Sequence, residues 1–83
     1  MVLMSQGKFE KAIPHLKDII VIFPEYLFAQ YYLARAYEET NQIKKATNEY
    51  KSFIDRIKDD PEKQKMVIQI RNKISSLEKA FKE

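Results

Sequence analysis

Between Leu27 and Asp60 two runs of apolar residues recur at intervals of three and four, on either side of the polar stretch Glu38-Glu39-Thr40-Asn41-Gln42. The first run is Phe28, Tyr31, Tyr32, Leu33, Ala36 and Tyr37; the second is Ile43, Ala46, Tyr50, Phe53, Ile54 and Ile57. That spacing gathers side chains on one side of an α-helix. The break between the runs has nothing apolar to bury, and Asn41 tolerates the left-handed conformation that ends many helices. The stretch therefore predicts two amphipathic helices folded back on each other. Ala34 and Ala36 on the first, and Ala46 on the second, supply the small residues that let two helices approach closely.

Ala34, Tyr37, Ala46, Tyr50 and Phe53 stand at the spacing of a helix-turn-helix unit of 34 residues, and in this the stretch resembles the tetratricopeptide repeat. Gln30 replaces that repeat's usual first-helix Trp, Asn41 its turn Gly, and Lys58 its closing Pro. A second, partial copy lies one period earlier. Phe9, Ala12, Leu16, Ile19 and Ile20 fall on Ile43, Ala46, Tyr50, Phe53 and Ile54, while Gly7 falls on Asn41 and Pro24 on Lys58. The earlier copy carries both the turn Gly and the closing Pro that the later copy lacks. Self-similarity at this period points to a solenoid in which each unit stacks on its neighbour.

With 83 residues, one Gly, three Pro and no Cys, the chain has the size of one small all-α domain without disulfides or thiol chemistry. The expected organisation is an incomplete repeat over 1–26, a complete repeat over 27–60 and a capping helix over 61–83. Met1 to Gln6 matches only the end of a repeat's first helix and predicts a short helical turn, so the sequence reads as beginning mid-motif in a longer parent. The longest apolar run, Ile19 to Phe23, falls far below the roughly 18 residues of a membrane span, and no signal peptide precedes Gly7. The expectation is a soluble, cytoplasmic protein.

Lys8 to Phe23 predicts the first helix, ended by Pro24-Glu25. Helices follow near Tyr26 to Thr40 and Ile43 to Lys58. Asp59-Asp60-Pro61-Glu62 then reads as a helix start, with an Asp cap, Pro at the first helical position and acids facing the positive end of the helix dipole. The last helix runs from Pro61 to Phe81, with Met66, Val67, Ile70, Ile74, Leu77 and Phe81 on one stripe and Arg71 and Lys73 off it. It resembles the helix that closes a tetratricopeptide array. The opposite end has no such cap, which predicts uncovered apolar surface on Ile13, Leu16, Ile20 and Phe23 and self-association or domain swapping through it.

Nothing in the sequence points to catalysis. His15 is the single His and has no Cys or second His beside it for a metal. Glu38-Glu39 and Asp59-Asp60 are neighbours on a helix or turn, so their carboxylates point apart and do not converge on one atom. No phosphate loop, nucleophile motif or metal cluster is present, so the reading carries no enzyme, no cofactor and no metal. The basic excess is local: residues 1–60 hold nine Lys/Arg and nine Asp/Glu, residues 61–83 six and three. Lys63, Lys65, Arg71, Lys73, Lys79 and Lys82 could meet nucleic acid or an anionic membrane, but a solvated helix face explains them better, since no aromatic-rich basic surface accompanies them.

The resemblance implies a concave surface, lined by the first helix of each unit, that binds extended peptides or partner proteins. On this sequence the matching positions are Phe28, Tyr31, Arg35, Glu38 and Glu39, and Tyr and Arg are residue types that dominate interfaces. The asparagines and lysines by which chaperone-binding relatives hold a carboxylate are not repeated here. The function expected is non-catalytic protein binding, with self-assembly as the alternative.

Overall fold

A computed structural model describes residues 8–81. Among the described residues four α-helices follow one another: α1 (Phe9–Ile22), α2 (Phe28–Glu39), α3 (Ile43–Ile57) and α4 (Gln64–Phe81), the last introduced by a 3-10 turn at Pro61–Lys63. Each helix packs on the next along the chain, α1 on α2, α2 on α3 and α3 on α4. No strand occurs among the described residues. The all-α array is thus the architecture the periodicity predicts, with ends shifted by one or two residues except at the last α-helix, which starts three residues later than expected because Pro61–Lys63 form a 3-10 turn. The Met1–Gln6 turn falls outside the described residues.

The turns follow from local chemistry. At the end of α2, Asn41 takes a left-handed φ of 63°. Its N–H donates to the Glu38 carbonyl at 3.1 Å, and the Gln42 N–H reaches back to the Tyr37 carbonyl at 2.8 Å. This pair of bonds satisfies the last carbonyls of the helix and reverses the chain. The Thr40 hydroxyl donates to the Ala36 carbonyl at 2.8 Å and accepts from Gln42 Nε2 at 2.9 Å, which ties the turn further. At Asp60 the expected cap forms: Oδ1 accepts from the Glu62 N–H at 3.0 Å, and Pro61 occupies the first position, where no N–H is needed. Lys63 pairs with the other Asp60 oxygen at 3.0 Å, and these donors hold the Asp60 carboxyl below the usual carboxylate range. Pro14 sits inside α1 on its exposed face, and the carbonyl left without a backbone donor is that of the exposed residue Glu10.

Ala12, Ala29, Ala34, Ala36 and Ala46 are all fully buried, so the helices meet at alanine contacts, with Leu16, Tyr50, Phe53 and Ile57 filling the space around them. Tyr31 and Phe28 of α2 stack on Phe53 of α3 with centroids 5.7 Å apart in each case. Val67, Ile70 and Ile74 of α4 complete the core, and Met66 and Leu77 pack at its edge.

The apolar surface expected on α1 is only partly open. Leu16 is fully buried, and Ile13 and Ile20 pack against the core, because they share the α1 stripe that α2 covers. Phe23, beyond the end of the helix, remains exposed.

Candidate functional site

A groove of about 230 Å³ opens between α2 and α4, lined by Tyr31, Tyr50, Met66, Gln69, Ile70 and Lys73. Tyr31 forms one wall. Four residues at intervals of three and four on α4 form the other, and Tyr50 of α3 lies between them. The two walls run in the same direction, since Tyr31 faces Met66 and Ile70 while Glu38 faces Lys73. That follows from the chain path: each helix reverses the one before it, so alternate helices are parallel.

One end of the groove is fixed by three side chains from three helices. The Tyr50 hydroxyl donates to Glu38 Oε1 at 2.8 Å, and Lys73 Nζ lies 3.0 Å from Glu38 Oε2. Burial, and then the bond to the Glu38 carboxylate, push the Tyr50 hydroxyl well above the usual phenol range. Both effects disfavour a second negative charge beside Glu38. Tyr31 is held by edge-on contacts to Tyr32 and Tyr50, at 5.7 and 6.0 Å, as well as by Phe53.

The five residues expected to form the binding face are therefore separated by the structure. Tyr31 lines the groove, and exposed Arg35 stands one turn along the same side of α2. Phe28 stays half-buried against Phe53. Glu38 is engaged within the fold rather than open to a ligand. Glu39 lines a different cavity, of about 360 Å³, together with Thr40 and with Lys8, Phe9, Glu10 and Lys11 at the start of α1. Adjacent helical residues diverge by about 100°, which is why Glu38 and Glu39 part company.

Met66 and Ile70, which the sequence presents as a capping stripe, and Lys73, which it presents on a basic face, enter the groove together with Gln69, which no sequence feature singles out. A signal for them exists: Met66 and Lys73 stand 35 positions after Tyr31 and Glu38, about one repeat, and so belong to a helix in the same orientation. Of the six cations on the last segment, Lys63 and Lys73 are paired with Asp60 and Glu38, while Lys82 lies outside the described residues. No group of three or more His, Cys, Asp or Glu side chains able to hold a metal occurs among the described residues. No helix there is long and apolar enough to cross a membrane.

Helical hairpins of a 34-residue period, stacked so that alternate helices line a groove, define a helical-repeat protein. Residues 3–69 match the family model described as tetratricopeptide repeat, and the chain belongs to that family. Repeats of this family generally mediate contacts between proteins and are typically non-catalytic. No curated protein and no solved structure matches the chain.

Proposed function

We propose that the protein is a non-catalytic binding module that takes an extended segment of a partner protein into the groove between α2 and α4. The observation that carries this reading is the groove itself: two parallel helices, an apolar lining from Tyr31, Met66 and Ile70, and polar groups from Gln69, Lys73 and Arg35 within reach of a backbone or side chain. Rigid presentation is the mechanism. Tyr31 is locked by three aromatic neighbours and Lys73 by Glu38, so little side-chain freedom is lost when a partner docks.

The partner is a protein or peptide; neither nucleic acid nor a membrane is invoked, because the groove is largely apolar. Selection from a displayed peptide library against the folded chain tests the proposal. Selected peptides should bind with affinity that falls about tenfold when Gln69 is changed to Arg, the loss of one well-placed contact. Peptides that bind the Gln69→Arg variant as tightly as the wild type would place the site elsewhere.

A further inference from the structure

The internal repeat supplies a control for every surface position on α1, because α3 shows what the same position needs in the same fold. Val21, Ile22, Phe23 and Tyr26 are 80, 64, 53 and 44% exposed. One period on, these positions hold Asp55, Arg56, Ile57 and Asp60. Asp55 and Arg56 are exposed charges, and Asp60 is a helix cap. The fold thus accepts charged residues at three of the four places. Packing within the array therefore does not call for apolar side chains at Val21, Ile22 and Tyr26, and Phe23 stays exposed although its counterpart Ile57 is buried.

We infer that Val21, Ile22, Phe23 and Tyr26 form a two-fold interface with a second copy of this chain. Two aromatic side chains of roughly 150–250 Å² each and the smaller Val21 and Ile22, exposed to these degrees, offer on the order of 400 Å² of mainly apolar surface per copy. Doubled and extended by a rim, that approaches the approximately 1,000 Å² at which specific association begins, and corresponds to a weak, reversible dimer. The rim carries both signs. Asp18 lies one turn before Ile22, Glu25 sits between Phe23 and Tyr26, and the exposed Arg56 donates through Nη2 to the Pro24 carbonyl at 2.6 Å. A surface that mixes acid and base around an apolar centre complements itself under a two-fold axis, which sets the same patch of both copies face to face. The Arg56–Pro24 bond also holds the turn against α3, so the patch is presented in a fixed shape. None of its residues lines the α2–α4 groove, so dimerisation leaves both grooves open.

The test is sedimentation velocity over a concentration series, comparing wild type with the double variant Val21→Asp, Ile22→Arg, which installs the residues α3 already carries. Wild type should move from monomer towards twice the monomer mass as concentration rises through the micromolar range, and the variant should stay monomeric with an unchanged helical circular dichroism spectrum. A wild type that remains monomeric, or a variant that dimerises equally, would overturn the inference. Should the variant lose structure, amide NMR spectra of wild type on dilution decide the matter: shifts confined to the Asp18–Leu27 region support the interface, and shifts elsewhere or none refute it.

Discussion

Glu38 of α2 accepts from the Tyr50 hydroxyl of α3 at 2.8 Å while its other oxygen meets Lys73 of α4, so one carboxylate joins three helices at the end of the groove. The Glu38 side chain is 19% exposed and that of Lys73 46%. The two bonds therefore differ in worth. Replacing Tyr50 by Phe leaves a largely buried carboxylate short of a donor and should lower stability by about 2 kcal/mol. Lys73→Met should cost less than about 1 kcal/mol, because a half-exposed ion pair is screened by solvent. Urea denaturation measures both, and equal losses would contradict this ordering.

The raised Tyr50 hydroxyl also sets an alkaline limit. A group held protonated in the folded state above its ordinary range contributes stability that is fully present below the unfolded value, about 10 for tyrosine, and declines above it. Melting temperature should accordingly fall more steeply above about pH 10 in wild type than in Tyr50→Phe. Parallel curves for the two proteins would show that Tyr50 is not the group responsible.

Asn41 bears a left-handed conformation that costs roughly 1–2 kcal/mol for an ordinary residue and nothing for glycine. Asn41→Ala should destabilise the chain by about 1 kcal/mol, and Asn41→Gly should be neutral or slightly stabilising. The same denaturation assay separates them. A tolerated Ala would mean that the turn does not require this geometry.

Ala34 is fully buried at a helix crossing. Ala34→Leu should cost about 2 kcal/mol, because an added side chain can be housed only by prising helices apart. A loss within the range of surface substitutions, about 0.5 kcal/mol, would mean that the crossing is looser than described.

How far the sequence could be read depended on whether a feature repeats within it. The alanine contacts, the Asp60 cap and the Asn41 turn are local and were legible from spacing and residue type. The hairpin stack was legible because Phe9 to Ile20 echoes Ile43 to Ile54. The groove was legible on one wall only. Tyr31 stands among the expected binding positions because it lies on a first helix, whereas Met66 and Ile70 have the spacing of any buried stripe, Gln69 belongs to no pattern, and nothing local distinguishes a groove wall from a core face. The engagement of Glu38, expected as a binding position, is not visible in the sequence because its partners, Tyr50 and Lys73, lie 12 and 35 positions away along the chain. Gln30, standing where the family's Trp is usual, donates to Glu49 at 3.2 Å, a contact visible only once α2 and α3 are side by side.

The α2–α4 groove is the proposed binding surface, and amide NMR mapping with a selected peptide tests it most directly. Shifts on titration should cluster at Tyr31, Arg35, Met66, Gln69, Ile70 and Lys73. Shifts centred on α1, or on the cavity beside Glu39, would contradict it.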